Sequence, residues 1–315
     1  MAIPVVDLAD NPVRVARHIG DACAEIGFFQ IVGHGVPDAV VDAAWWATRA
    51  FFDEPEAVRL AVAMPYAGYP YGYQGFAGET LALSCGASSL GEVTPPDRKH
   101  TFSFGPIEGI EGDVTDPDEG WVRSPNQWPT SPAGFRDALE TYYRAMSALA
   151  ADLLRSMAIA LHLEPTYFDA MIDRHISSLR CLDYPALAEP PLPGQLRAGV
   201  HTDYGTLTIL RTAPGVNGLQ TRDRTGGWGD VDAVAGGFVV NLGDSLARWT
   251  NDRWRSTMHR VVETGEAPRR TSIAFFHNAN WDARIECLPG LGRPLYAPVL
   301  AGRHLMEKFH RTVGA

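Results

Sequence analysis

His201-Thr202-Asp203-Tyr204-Gly205-Thr206-Leu207-Thr208-Ile209-Leu210 joins two donor side chains to a run that reads as a strand. One residue separates His201 from Asp203, so in an extended segment both point to the same side of the backbone and can share one ion. The residues from Tyr204 to Leu210 are β-branched and apolar with alternating character, which sets the pair at the mouth of a strand, a rigid support for ligands. A third donor, His259, stands in Trp254-Arg255-Ser256-Thr257-Met258-His259-Arg260-Val261-Val262, a second strand-like stretch that must arrive from elsewhere in the sheet. A jelly-roll brings two strands so distant in sequence to one mouth. Two imidazoles and one carboxylate then form a facial triad, which holds Fe(II) on one face and leaves the opposite positions open for substrate and O₂. H-x-D alone is a weak signal, because a lone histidine is more often a packed or solvated residue. Its weight comes from a second pattern downstream.

Arg270-Thr271-Ser272-Ile273-Ala274-Phe275-Phe276 has the composition of a buried strand, and its alternation puts Arg270 and Ser272 on one face. A guanidinium beside a hydroxyl inside an apolar barrel is costly unless an anion completes it, and a carboxylate fits that fork. The bland alternatives are an ion pair between Arg270 and an internal Asp or Glu, or a solvated turn made of Arg269 and Arg270.

Bulk properties bound the rest. The chain has 315 residues, enough to bury a sizeable core, and length alone does not choose between two average domains and one large β-rich unit. Its net charge is −10 and its lysines are Lys99 and Lys308 alone, which argues against a nucleic-acid partner. Cys23, Cys85, Cys181 and Cys287 are spread with no Cys-x-x-Cys pair and no signal peptide in front, so neither a disulfide framework nor a thiolate zinc site is expected. A reducing cytoplasm is the expected compartment. No apolar run approaches the length of a membrane span, so no membrane partner is expected.

Along the chain, residues 11–27 read as a helix, 28–32 as a strand, and 37–52 as a helix with Val40, Ala44, Ala47 and Phe51 inward. Residues 84–130, rich in Gly, Pro, Ser and Asp, read as long loops and candidate lids. From Ser131 to His162, Leu139, Tyr142, Met146, Leu149, Leu153 and Met157 recur at three- and four-residue steps and predict a helix packed on the core. From Ile176 onward short strands with Gly/Pro punctuation take over, and Glu189-Pro190-Pro191-Leu192-Pro193-Gly194 reads as a loop shortly before the metal motif.

The order of these motifs carries a family likeness. Ile3-Pro4-Val5-Val6-Asp7-Leu8, Ile26 to Val36, Ala50-Phe51-Phe52, Gly72 to Phe76, Leu179 to Pro185, His201-x-Asp203, Gly218-Leu219-Gln220, Val240 to Asp244, His259-Arg260-Val261 and Arg270-x-Ser272 succeed one another. The chain thereby resembles the isopenicillin N synthase-like branch of the Fe(II)/2-oxoglutarate-dependent oxygenases over almost its full length. The resemblance implies a mixed α and β fold: a double-stranded β-helix (jelly-roll) core flanked by helices, with a mixed amino-terminal region packed on it. It divides the chain into a non-haem dioxygenase region at 1–110 and a helical support with a jelly-roll catalytic region at 111–315, forming one compact unit.

The same resemblance implies His201, Asp203 and His259 as iron ligands, with no catalytic residue beyond them. It implies Arg270 and Ser272 as the clamp for the distal carboxylate of 2-oxoglutarate, and Tyr184 as a hydroxyl donor to it. The implied reaction turns 2-oxoglutarate and O₂ into succinate and CO₂ while oxidising an unactivated C–H bond of a small metabolite by hydroxylation, desaturation or ring closure. Ascorbate is the expected reductant, and a monomer or weak homodimer the expected assembly. One departure stands out: many relatives carry Asn two residues before the tyrosine matched by Tyr184, and here that position is Leu182. Members of the branch that use no 2-oxoglutarate also keep Arg-x-Ser, so an O₂-dependent oxidase of the isopenicillin N synthase type remains an alternative. A non-catalytic ligand-binding jelly-roll is the alternative of another class.

For the substrate pocket, His277, Phe276 and Trp281 beyond the clamp strand and Tyr73 and Phe76 from the Gly-rich loop are the candidates, since aromatic walls with a few polar groups suit a small, partly apolar metabolite. For each of them ordinary core packing is the competing reading. The prime substrate itself is not readable from the chain, because its specificity lies in loops that converge only in three dimensions.

Overall fold

The computed structural model describes residues 3–85, 95–109, 114–186, 189–264 and 268–313. The amino-terminal elements are β1 (Val5–Asp7), α1 (Pro12–Glu25), β2 (Phe28–Val32), α2 (Asp38–Asp53), α3 (Glu56–Leu60), β3 (Gly72–Gln74), a 3₁₀ turn (Leu81–Cys85) and β4 (His100–Phe104). Helices α4 (Pro117–Val122), α5 (Phe135–Ala160) and α6 (Asp169–Ile172) follow. Then come β5 (Ser178–Tyr184), β6 (Ala198–His201), β7 (Leu207–Thr212), β8 (Gly215–Arg222), β9 (Trp228–Ala233), β10 (Phe238–Leu242), α7 (Asp244–Trp249), β11 (His259–Val261) and β12 (Arg270–His277). A short hairpin of β13 (Arg284–Ile285) and β14 (Val299–Leu300) leads into α8 (Ala301–Val313).

Two sheets form the jelly-roll. The larger runs β1-β2-β10-β7-β12-β5-β4-β3 and the smaller β6-β11-β8-β9, antiparallel throughout except for the parallel pair β1–β2. Period-2 alternation sorts the strand residues of the large sheet. Phe29, Leu179, Cys181, Ile209, Val240, Ile273 and Phe275 join the helices in one core, while Phe28, Leu182, Tyr184, Leu210, Val239 and Ala274 face Ala198, Leu219, Val231 and Val261 of the small sheet. The helical layer is built on α5, whose stripe Leu139, Tyr142, Met146, Leu149, Leu153 and Met157 is buried along its whole length. With β1 and β2 at one edge and β3 and β4 at the other, the amino-terminal third is woven into the large sheet.

Several boundaries differ from the sequence reading. The long helix begins at Phe135, because Gly134 before it takes a left-handed φ of 75°, and it ends at Ala160 ahead of His162 at φ 59°. The stretch from Trp254 is a strand only over His259–Val261. Asn251 and Asp252 turn through positive φ, and the backbone after them is tied to the end of α1, with Arg255 N donating to Cys23 O and Thr257 Oγ1 to Ile26 O. Within 84–130, expected as loop, lie β4 and α4; residues 86–94 and 110–113, which belong to the expected lids, fall outside the described residues. Cys23, Cys181 and Cys287 are free thiols, and the side chain of Cys85 is outside the described set.

Candidate active site

His201 ends β6 and His259 begins β11, and these two short strands pair antiparallel with His201 and His259 directly opposite. Their ring centroids lie 4.2 Å apart. Each Nδ1 faces a carbonyl oxygen two residues back, Gly199 O at 2.7 Å for His201 and Thr257 O at 3.1 Å for His259. A carbonyl only accepts, so Nδ1 is the protonated nitrogen in both rings and Nε2 is left as a lone-pair donor. Burial and the neighbouring His259 push the His201 imidazole down to about 3, against the pull of Asp203.

Asp203 sits in the turn between β6 and β7. Gly205 lets that turn run against the end of β12, since a Cβ there would lie 2.4 Å from His277 O. The start of α7 fastens it: Asp244 N donates to Asp203 O at 2.8 Å, and Ser245 N to Gly205 O at 3.0 Å. The Asp203 carboxylate takes the Thr208 hydroxyl at 2.5 Å and the Asn241 amide at 2.6 Å on Oδ2, which leaves Oδ1 facing the histidines at 3.9 Å from His201 Nε2 and 3.8 Å from His259 Nε2. Burial alone would raise its pKa, but His259, His201 and these two donors hold it below the usual carboxylate value. The three donor atoms lie within 4.8 Å of one another. Two imidazole nitrogens and one carboxylate oxygen, converging with no fourth His, Cys, Asp or Glu among the described residues, are a donor set that suits a first-row divalent metal with open positions.

The triad opens on a cavity of about 500 Å³ between the sheets. Across it, Arg270 of β12 stands opposite Tyr184 of β5 in register, and Ser272 opposite Leu182. The Arg270 side chain is buried, with Nε on Asn217 Oδ1 at 3.1 Å, one Nη on Ser272 Oγ at 3.2 Å, and its guanidinium carbon 4.7 Å from the centroid of the Tyr184 ring. Among the described residues no carboxylate pairs with it. Burial depresses its pKa, with Tyr184 opposing only in part. A desolvated cation with neutral partners is an incomplete site that an anion would complete. Leu182 is buried on the same wall.

Of the five candidate substrate residues, Phe276 lines the cavity and the other four stand outside its wall. Tyr73 is buried on the opposite face of β3 from Gly72 and Gln74, which do line it, and its hydroxyl meets His100 Nδ1 at 2.9 Å. His277 follows Phe276 and so turns away from the cavity, its Nδ1 2.7 Å from Thr206 Oγ1 and its ring against His175. Trp281 is packed with Val122, Ile176 and Met306. Phe76 is 42% exposed against His100. Strand alternation turns Tyr73 and His277 away from the cavity, Trp281 is packed elsewhere and Phe76 is partly exposed, so Phe276 is the one of the five that contributes to the lining.

Sequence reasoning passed over Asn217 and Glu79, took Thr208, Arg180 and Asn241 only as parts of motifs, and noted Lys99 only as a rare lysine. Arg180 carried a signal, since it shares the alternate face of β5 with Leu182 and Tyr184. Lys99 did too, as a rare lysine ahead of a strand. Its Nζ reaches Asp97 Oδ2 at 2.6 Å and Glu79 Oε2 at 3.0 Å, and Asp97 Oδ1 accepts from Gly199 N at 2.9 Å, two residues before His201.

Residues 3–131 match the family described as the N-terminal region of a non-haem dioxygenase in morphine synthesis, and residues 170–279 match the 2OG-Fe(II) oxygenase superfamily. A homoarginine-6-hydroxylase of Oryza sativa subsp. japonica is 32% identical, over 98% of this chain and 96% of its own length. The crystal structure of a full-length Neurospora crassa protein in complex with alpha-KG superposes with a TM-score of 0.84 at 27% identity, covering 98% of this chain and 96% of that one. JOX2 in complex with 2OG, Fe and JA gives a TM-score of 0.78 at 27% identity, covering 100% and 86%.

Proposed function

The chain belongs to the Fe(II)/2-oxoglutarate-dependent oxygenases, in their isopenicillin N synthase-like branch, and we propose that His201, Asp203 and His259 are its iron ligands and that Arg270, Ser272 and Tyr184 hold the distal carboxylate of 2-oxoglutarate. Its activity is the oxidation of an unactivated C–H bond of a small molecule, with 2-oxoglutarate and O₂ consumed and succinate and CO₂ released. What supports the residue assignment most is one juxtaposition: three inward donors and an uncompensated buried guanidinium face each other across a single cavity.

Fe(II), with O₂ and the keto acid, supplies the oxidising power. The chain's own residues bind and orient. Gly199 O and Thr257 O set the tautomers that aim both Nε2 atoms inward, and Thr208 and Asn241 reserve Asp203 Oδ1 for the metal. Arg270 and Ser272 give a charge-assisted contact at a fixed distance from the triad, which orients the keto acid. Phe28, Leu182, Leu210, Leu219 and Val261 keep this end of the cavity apolar and exclude water. Leu182 offers no hydrogen bond, so in this reading the cosubstrate is held without the contact that Asn supplies in many relatives. Phe276 is the substrate-facing aromatic.

A cavity of about 500 Å³ lies in the usual range for small-molecule sites, roughly 300–1,000 Å³, and here must hold cosubstrate and substrate together. Ascorbate serves as reductant in this proposal, the chain acts as a monomer or weak homodimer, and its compartment is a reducing cytoplasm, with which three free thiols agree. Among the described residues no helix is long and apolar enough to cross a membrane.

The test is succinate formation from 2-oxoglutarate by protein handled anaerobically, with and without Fe(II), beside Asp203→Ala. Iron-dependent succinate that disappears in Asp203→Ala is expected. Oxygen consumption without succinate would favour the oxidase that uses no keto acid, and neither product would favour the binding protein.

A further inference from the structure

The cavity holds a second guanidinium, away from the clamp. Ser178, Arg180, Leu182 and Tyr184 share the cavity face of β5, so Arg180 lies four residues, or about 13 Å along the strand, from Tyr184. Its Nη1 meets both carboxylate oxygens of Glu79 at 2.9 and 3.1 Å, and its Nε donates to Ser103 Oγ at 3.1 Å. Among the described residues its Nη2 has no hydrogen-bond partner. The Phe276 ring lies beside it, 6.0 Å from the guanidinium carbon to the centroid.

Glu79 is fixed in turn. Lys99 Nζ binds it at 3.0 Å and joins it to Asp97, which is tied to Gly199 N and lies behind the wall. The charged residues that line this half of the cavity, among those described, are Arg180, Lys99 and Glu79, and with Asp97 on Lys99 Nζ the charges of the cluster balance. The Arg180 side chain keeps 26% of its surface accessible, while the Lys99 side chain keeps 1%, so Arg180 is the cation of the cluster that a ligand can reach. Ser103 takes Nε and Glu79 takes Nη1, which leaves Nη2 as the remaining donor of a guanidinium that lines the cavity.

Resting on the oxygenase reading of this cavity, we propose that Arg180 is a specificity-determining residue that anchors a carboxylate of the prime substrate, with Glu79 as its splint and Phe276 as the apolar plate beside it. A carboxylate accepts from Nη2 in a charge-assisted contact. A substrate without an anionic group leaves that desolvated donor unmet. The substrate class is a small monocarboxylic acid with an apolar body, seated at the opposite end of β5 from the keto acid.

Matched probes test this: phenylacetate with phenylacetamide, hexanoate with hexanamide, and indole-3-acetate with indole-3-acetamide, titrated calorimetrically into anaerobic protein loaded with Fe(II) and 2-oxoglutarate. At least one acid is expected to bind about tenfold or more tighter than its amide. In Arg180→Gln that ratio should fall to about one while 2-oxoglutarate affinity changes by less than about twofold, and Arg180→Lys should keep part of the preference. Should Arg180→Gln fail to fold by circular dichroism, Arg180→Lys decides, with a drop of about threefold or more in the ratio expected. An acid-to-amide ratio near one in the unaltered protein, no binding by any acid, or a ratio preserved in the variants overturns the proposal. Normal 2-oxoglutarate binding in those cases leaves the oxygenase reading intact, whereas failure to bind 2-oxoglutarate at all overturns both.

Discussion

Asn241 of β10 donates its side-chain amide to Oδ2 of Asp203 at 2.6 Å, although Asp203 belongs to the turn after β6 in the other sheet. With Thr208 of β7 on the same oxygen, two strands of the large sheet aim a carboxylate whose histidine partners are carried by the small one. The geometry of the triad is thus a property of the two sheets together.

Asn241→Leu should weaken Fe(II) binding by about 10- to 100-fold, the usual effect of removing a group that orients a metal ligand. The fold should survive, since Val240 and Leu242 keep their places in the core. Anaerobic Fe(II) titration followed by circular dichroism checks both points. Unchanged metal affinity would show that Thr208 alone suffices.

Arg270→Ala should raise the KM for 2-oxoglutarate by roughly 10- to 150-fold, corresponding to about 1.5–3 kcal/mol for a charge-assisted contact. The KM for the prime substrate should change little. Arg270→Lys should recover only part, because an ammonium cannot reproduce the planar fork held by Asn217 and Ser272. If 2-oxoglutarate affinity is retained and substrate binding lost, the clamp holds a different carboxylate.

His277→Leu should leave substrate choice and product ratio unaltered. Thr206 stands against its ring, and the Thr206 hydroxyl keeps His277 O as an acceptor at 2.9 Å after the imidazole is gone. A shifted product ratio across a substrate panel would return His277 to the site.

Stability should fall on acidification through the histidine range. Burial pushes His175 and His304 down to about 4, and His277 well below its ordinary value. These groups are neutral in the folded chain and ordinary in the unfolded one, so the unfolded state takes up more protons as pH drops below about 6.5. Their contribution is whole above that value and is lost as pH falls toward 4, at about 1.4 kcal/mol per pH unit for each histidine. Urea unfolding at pH 7.5, 6.0 and 5.0 should show the decline, and His175→Gln should lessen it. A flat profile would mean the buried rings already hold protons.

His201 with Asp203 and Arg270 with Ser272 were legible as pairs because each lies within three residues of chain, where period-2 alternation puts donors on one face; His259 and Tyr184 came only from the order of the motifs. The helix 135–160 was readable from its stripe for the same local reason. Aromatic character is a poorer guide than alternation. Phe276 takes the cavity face of its strand, and the same period turns His277 and Tyr73, whose neighbours line the cavity, into the core. Glu79 and Asp97 were invisible because their roles depend on contacts to Arg180 of β5 and Gly199 of β6, roughly a hundred residues away in the chain. Trp254 to Met258 looked like a strand and is not, since its backbone is claimed by the end of α1.

β5 and β12 run side by side from Tyr184 and Arg270 at one end to Ser178 and Phe276 at the other, with no break in register. On the proposed assignments, one pair of strands carries the part that every turnover needs at one end and the part that only recognition needs at the other. Substitutions at 178, 180 or 276 can vary without disturbing the pairing that holds 184, 270 and 272. A scaffold so divided can acquire new substrates by drift at one end of a strand while inheriting its reaction at the other.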